Sequence, residues 1–388
     1  MPTHAADRAI EDVLRYEKAL LKFISPNNVG LTGSHECGYY LPKSAWELYT
    51  PFPPVKGENK EHFADITWPD GRVTNSCIKW YGVGTRSEYR LTRFGRDFPW
   101  LTNDNIGDLL VLIPTGPASF TAHVLDLDDD IEQVQAALGI EISGSWAVYV
   151  AGQQDETISE DDCIDHRFRD FAAALDDFPG TSEFAQETVI TLKECLRDFS
   201  AITPDRKVLQ LVESEYRLFR LVERRLCTND ITRLFKSVDD FMQTAATIMN
   251  RRKARAGRSL ENHVEYILKE AEIPFDVRPN VDGRPDIIIP GKAQYDDASY
   301  PTDRLFMVGI KTTCKDRWRQ VLNEAQRIPV KHLLTIQKGI SSAQLGEMKS
   351  AGVRLVVPDP LHSDYPPDNI SDLSSVGVFI NEVRQRLG

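Results

Sequence analysis

No stretch of this 388-residue chain approaches the roughly 18 consecutive apolar residues that a membrane-spanning helix requires. Its first twenty residues alternate charge with hydrophobe where a secretory leader would carry an apolar core. A cytoplasmic protein with no membrane partner is therefore expected. The six cysteines (Cys37, Cys77, Cys163, Cys195, Cys227 and Cys314) include no Cys-x-x-Cys pair. That spacing disfavours zinc ribbons and indicates no disulfide framework, so reduced thiols are expected. Internal repeats and low-complexity tracts are lacking as well, which removes solenoids and fibrous arrays. What is present is ordinary: 41% hydrophobic and 27% charged residues, the balance of a folded soluble chain. At about 100–200 residues per domain the length calls for two or three cores.

The net charge of −12 argues against a polyanionic partner only if it is evenly spread, and it is not. Residues 1–150 carry −7, residues 151–203 carry −9 and residues 204–388 carry +4. A basic carboxy-terminal region behind an acidic connector suits a tethered nucleic-acid-binding domain, and a surplus of +4 suits an ordinary solvated surface equally well.

The texture of the chain also changes along its length. Residues 6–23 place Ile10, Leu14, Ala19 or Leu20, and Phe23 near helical spacing and predict an opening amphipathic helix. From Gly30 to about Val150, short apolar runs broken by Gly, Pro, Asn and Asp predict a β-rich domain. The acidic stretch 156–180, ending at Phe178-Pro179-Gly180, reads as a linker between a domain over 1–155 and another over 181–388. Helical patterning follows over about 182–250, and Ser259 reads as the N-cap of a helix carrying Leu260, Val264, Ile267 and Leu268 on one face. Glu261 sits at the edge of that face. The segments 286–290 and 304–313 are short, β-branched and bounded by turn residues, which predicts neighbouring strands, and 316–328 predicts a further helix with Trp318, Val321, Leu322 and Ala325 inward. The order helix, strand, strand, helix suits an α/β layer.

Chemistry concentrates in this last region. Asp286 opens one strand, and Lys311 ends an apolar row of Leu305, Met307 and Gly309 on the other. A lysine in that place needs a partner. Asp286 can supply it, and two carboxylates beside a lysine suit Mg²⁺ at a phosphodiester. From spacing alone a structural Asp–Lys pair is the commoner outcome. Two further features stand nearby. Arg251, Arg252, Lys253, Arg255 and Arg258 pack five cations and no anion into eight residues, as a phosphate contact strip would. Asp316, Arg317 and Arg319 carry groups able to read G·C pairs in a major groove, with Arg317, Gln320 and Glu324 expected on one helical stripe.

At these residues the sequence resembles the EcoRII-type restriction endonucleases of the PD-(D/E)XK superfamily. The likeness is carried by Asn250–Glu261, Arg284-Pro285-Asp286, Lys311–Ala325 and Gly352–Pro358, and in the first domain by Thr32–Pro42 and Arg90–Arg96. The resemblance implies an α/β nuclease domain preceded by a β-rich DNA-binding pseudobarrel. It implies Asp286 and Lys311 as the core catalytic pair, Glu324 as the second acid because Gly309 stands where an acid is usual, and Glu261 as the helix carboxylate. Asp286 and Glu324 would then hold Mg²⁺, with no organic cofactor, and Lys311 would orient or help deprotonate water. The products would carry a 5′-phosphate and a 3′-hydroxyl. The implied substrate is double-stranded DNA at a short palindrome of CC and GG, CCWGG, cut by a homodimer and read by Lys315, Asp316, Arg317 and Arg319. The first domain would bind a second, effector copy of the site through His35, Tyr40, Arg86, Glu88 and Arg90, and can restrain the nuclease until it does. Tyr89 departs from the pattern, which has a lysine there, and the Asp-rich turn 126–130 belongs to no shared motif. The alternatives from other classes are a sequence-specific DNA-binding regulator with an inactive nuclease fold, and an interaction protein in which the acids and Lys311 merely pair.

Overall fold

A computed structural model describes residues 4–32, 37–142, 144–152 and 163–388, and the chain divides into two compact units. The first is residues 1–153 together with 337–347 and 361–370. It contains α1 (His4–Tyr16), β1 (Lys18–Phe23), β2 (Tyr39–Leu41), β3 (Asn59–Thr67), β4 (Val73–Tyr81), β5 (Glu88–Thr92), β6 (Leu109–Gly116), β7 (Ser119–Leu125), α2 (Asp128–Leu138) and β8 (Trp146–Val150). The strands form a sheet of order β2-β5-β4-β3-β7-β6-β1-β8, with β3 and β7 parallel and the other neighbours antiparallel. One core is aromatic and built around Tyr39, Tyr49, Trp68, Trp80 and Tyr89. The other lies under α1 and α2, where Ala6, Ala9, Val13, Ile131 and Val134 meet Leu21, Val111 and Ile113.

The predicted helix over 6–23 is half right in span. It stops at Tyr16, Glu17 turns the backbone at φ 61°, and 18–23 is strand β1. Because β1 is covered on both faces, Leu20 in one core and Ala19 and Leu21 in the other, its apolar run is continuous, and such a run has no period to separate strand from helix. The Asp-rich turn has a local explanation: Asp128, Asp129 and Asp130 form the first turn of α2, where negative charge is favourable against the helix dipole.

The second unit is residues 154–336, 348–360 and 371–388. It holds α3 (Cys163–Ala174), α4 (Thr181–Cys195), α5 (Pro204–Thr232), α6 (Val238–Glu270), β9 (Asp276–Val277), β10 (Ile287–Ile289), α7 (Lys292–Asp296), β11 (Phe306–Lys311), β12 (Lys331–Thr335), β13 (Val353–Val356) and α9 (Val376–Leu387); α8 (Ser342–Ser350), between β12 and β13 in sequence, falls mostly in the first unit. The sheet order is β13-β12-β11-β10-β9, with β11, β12 and β13 parallel and β10 antiparallel to both β9 and β11. Leu260, Val264 and Ile267 of α6 and Phe379 and Ile380 of α9 bury one face of this sheet through Ile287, Phe306, Val308, Ile310 and Leu334. Asp205 ties α5 to that layer: its carboxylate accepts from the backbone N–H groups of Asp359 (3.1 Å), Val376 (2.7 Å) and Gly377 (2.9 Å), the last two opening α9.

Four expectations are corrected here. Residues 156–180 are not all linker: Ile164, Phe168 and Ala172 recur every four residues along α3 and are buried with Phe184, Leu192 and Phe219, while 153–162 lie outside the described residues. Cys163 and Cys195 are disulfide-bonded, with Cα atoms 5.6 Å apart, because packing of α3 against α4 joins positions 32 apart in sequence; the other four cysteines are free thiols. Ser259 caps nothing. It is buried inside a 33-residue helix whose N-cap is Ser237, accepting from Asp240 N at 3.1 Å. The helix predicted over 316–328 is a 3-10 helix, Arg317–Asn323, so Glu324 lies beyond its end and shares no α-helical stripe with Arg317 and Gln320.

Candidate active site

Antiparallel pairing of β10 with β11 matches Ile287 to Val308 and Ile289 to Phe306. That register sets Asp286, one residue ahead of β10, beside the end of β11. Asp286 Oδ2 accepts from the backbone N–H of Ile310 at 2.7 Å and from Lys311 Nζ at 3.0 Å. Both side chains keep partial access to solvent, 13% for Asp286 and 22% for Lys311. A carboxylate held by a backbone amide and an ammonium is oriented as well as charged.

The second acid arrives by another route. On β11, Phe306, Val308 and Ile310 point into the α6 core, and by alternation Met307, Gly309 and Lys311 point to the opposite face. There Val321 of the 3-10 helix fills the space over Gly309: a Cβ on Gly309 would lie 2.7 Å from Val321 Cγ1. The position two before Lys311 therefore has no room for a side chain, and the segment that fills it continues directly to Glu324. Burial first, and Asp286 next, push the Glu324 carboxyl up to about 7, while Lys311 and Lys331 pull the other way. Its Oε2 is buried and has no hydrogen-bond partner.

Glu261, on α6, completes the set. Arg278 NH2 donates to both its oxygens, at 2.9 and 2.7 Å, and Arg258 NH1 to Oε2 at 2.5 Å. Burial and the nearby Asp286 raise its pKa; Arg258, Arg278 and Lys311 oppose them. Asp286 acts on both Glu261 and Glu324, so the four predicted side chains form one electrostatic cluster. Among the described residues no group of three or more His, Cys, Asp or Glu is arranged as a metal cage.

Residues 15–153 match the family described as restriction endonuclease EcoRII, N-terminal, and residues 219–380 that described as EcoRII C terminal. The type II restriction enzyme EcoRII of Escherichia coli is 32% identical over 394 residues, covering 94% of this chain and 93% of that protein. The chain belongs to the EcoRII family. The type II restriction enzyme SsoII of Shigella sonnei is 28% identical over 117 residues, 27% of this chain and 37% of that one. Among solved structures, metal-depleted Ecl18kI in complex with uncleaved, modified DNA aligns with a TM-score of 0.47 at 19% identity, covering 56% of this chain and 83% of that chain. An α/β nuclease domain behind a β-rich domain is thus the architecture of this EcoRII-family chain.

The remaining residues singled out from the sequence fall in varied settings. Asp316 and Arg319 are exposed, Arg319 with its Cζ 4.6 Å from the centre of the Trp318 ring, Arg317 is half-buried, and Lys315 is buried. The basic run lies on α6 and is largely engaged within the protein. Arg252 pairs with Glu223 at 2.7 Å, Arg255 is buried over the Tyr216 and Phe219 rings, Arg251 lies over Phe178 and Arg258 holds Glu261. Lys253 is exposed. In the first unit, pairing of β2 with β5 sets Tyr40 opposite Arg90. The Arg90 guanidinium stands 4.1 Å from the Tyr40 ring centre and its Nε 3.1 Å from Glu88 Oε1. Arg86 is exposed near the Tyr81 ring, and His35 lies outside the described residues. Tyr89 alternates to the inner face, where its hydroxyl donates to Phe52 O at 2.9 Å. Arg278, which clamps Glu261, escaped the sequence reading: nothing in its spacing marks it.

Proposed function

We propose that this EcoRII-family chain is a Mg²⁺-dependent type II endonuclease that hydrolyses double-stranded DNA at a CC/GG palindrome, CCWGG. The observation that carries the proposal is the convergence of Asp286, Lys311 and Glu324, the Asp–Lys pair at 3.0 Å and the second acid electrostatically coupled to both. The donor set fits Mg²⁺. Hard carboxylate oxygens are offered by Asp286 and Glu324, one of them, Glu324 Oε2, buried and unpartnered, and Mg²⁺ characteristically takes one or two carboxylates and fills its shell with water and phosphate. A bound Mg²⁺ would supply neutralisation of the charge that builds on the phosphate. Lys311, fixed by Asp286, presents its ammonium to the attacking water and the phosphoryl oxygens. Water adds to phosphorus as the P–O3′ bond breaks, giving a 5′-phosphate and a 3′-hydroxyl. Glu261 is the proposed helix carboxylate completing the catalytic set, held by Arg258 and Arg278.

Asp316, Arg317 and Arg319, with Lys315 behind them, are the proposed readers of the paired cytosines and guanines, and a homodimer matches the two-fold symmetry of a palindrome. Lys253 and any of Arg251, Arg252, Arg255 and Arg258 released from their internal partners are the proposed phosphate contacts. Tyr40, Arg86, Glu88 and Arg90, with His35, are proposed to bind an effector copy of the site that controls the nuclease. The test is digestion of plasmid with and without Mg²⁺, followed by sequencing of the ends. Discrete fragments ending at CCWGG are expected, and Lys311→Ala or Asp286→Ala should abolish cutting while leaving site-specific retention of DNA. Retained cleavage in either variant, or DNA retention without cleavage by the unaltered protein, would reject the reading.

A further inference from the structure

Glu324 sits on no regular element. Its backbone is extended at φ −94°, ψ 143°, and the next residue, Ala325, is in the left-handed region at φ 42°. An acid two residues before the lysine would be held by strand register. This one must be held by something else. Lys331, the first residue of β12, is buried, and its ammonium donates to the carbonyl oxygens of Glu324 at 2.6 Å and Ala325 at 2.8 Å. Asp282 accepts from Ala325 N through its own carbonyl at 2.8 Å and from Gln326 N through Oδ2 at 2.5 Å, while the Tyr295 hydroxyl donates to Oδ1 at 2.5 Å. The adjacent Gly283, at φ 74°, lets the two segments touch: a Cβ there would lie 2.5 Å from both Asn323 O and Glu324 Cα.

We infer that Lys331 and Asp282 are positioning residues of the nuclease, a cradle that fixes the backbone of Glu324 in place of the strand register an acid at 309 would have had. Neither touches the reacting atoms. Two oppositely charged side chains thus hold one tripeptide, Lys331 through its carbonyls and Asp282 through its amides, which a buried lysine kept only to fill space would not do.

The inference rests on the proposed role of Glu324, and the test separates the two. Lys331→Met keeps the aliphatic stem and removes every donor; Lys331→Arg restores charge and donors. In the full chain bound to CCWGG DNA, Mn²⁺ binding is followed by electron paramagnetic resonance, and cleavage is followed against Mg²⁺ concentration. Outer residues that orient metal ligands are worth on the order of 10–100-fold in metal affinity. Lys331→Met should therefore weaken Mn²⁺ binding and raise the half-saturating Mg²⁺ concentration by at least about tenfold, leave metal-free DNA affinity unchanged, and recover in part as Lys331→Arg. Asp282→Ala should show the same displacement and stands in if Lys331→Met does not fold. Unchanged Mn²⁺ affinity in a folded cradle variant, with Glu324→Ala inactive, overturns the inference alone. An active Glu324→Ala overturns the reading of Glu324 itself.

Discussion

Adding a single methyl group at Gly309 should damage both the stability of the second unit and its cutting of DNA. The new Cβ would stand 2.7 Å from Val321 Cγ1, about 0.8 Å inside the roughly 3.5 Å at which carbon atoms begin to attract. Both neighbours are constrained, since Gly309 is paired with Leu333 in the parallel β11–β12 ladder and Val321 is fully buried. The strain is therefore taken up by the 3-10 segment, at about 1–3 kcal/mol, the usual cost of overpacking. That segment leads directly into Glu324, and if Glu324 serves as proposed, a misplacement approaching 1 Å there can cost about 100-fold in rate. Urea denaturation and single-turnover cleavage of a one-site duplex measure the two effects. Val321→Ala makes room, so a double-mutant cycle should return a favourable coupling of about 1–3 kcal/mol, with cleavage recovering part of its loss in the double variant. Gly309→Ala with unaltered stability and rate would refute the steric argument. So would a Gly309→Asp, Glu324→Ala enzyme that cuts at the natural rate, because the acid would then have had room on the strand all along.

Two further outcomes follow from groups remote from the chemistry. His332 is buried against the Phe306 and Phe379 rings, and burial, then Arg354 and Arg386, lower its pKa to about 3. The fold holds it neutral, so below the unfolded value of about 6.5 the unfolded chain gains a proton that the folded chain refuses, and stability falls by about 1.4 kcal/mol per pH unit down to the folded value. Denaturation at pH 7.5 and pH 5 should show this residue costing about 2 kcal/mol at the lower pH, a difference absent from His332→Leu; parallel profiles for the two proteins would count against it. Asp205→Ala should destabilise the second unit by about 3 kcal/mol, since a buried carboxylate that satisfies three amides leaves them all unpaired, and Asp205→Asn should recover less than half; a denaturation midpoint equal to that of the unaltered protein would show the contact to be ornamental.

Parts of this fold could be read from residue order alone because single short-range rules govern them. Asp286 and Lys311 belong to that class: β-branched segments bounded by turns gave two strands, and alternation gave the face on which Lys311 lies. The long helix α6 was visible only in pieces, since the polar run 250–259 interrupts its apolar stripe and an equally good capping residue, Ser259, stands inside it. Strand β1 had no legible period because two cores cover it. The Cys163–Cys195 bond depends on how α3 packs on α4, which spacing does not encode. The basic run looked like a free phosphate strip because its counter-charges, such as Glu223 on α5, come from elsewhere in the chain.

Glu324 shows why spacing alone left a structural ion pair as the commoner reading. The separation of 13 residues between Lys311 and Glu324 has no helical or strand meaning, because the path between them includes a 3-10 helix and ends in a left-handed residue. What sets the position of the acid is a set of long-range constraints: Val321 over Gly309, Gly283 against Asn323, and the grip of Lys331 and Asp282 on 324–326. Each of these residues read singly is a small residue in a strand, a glycine in a turn or a charge near a surface. Their common effect emerges only once β10, β11 and β12 have been brought side by side, so an acid proposed for the site from outside its strand rests on a set of supporting residues that local pattern cannot announce.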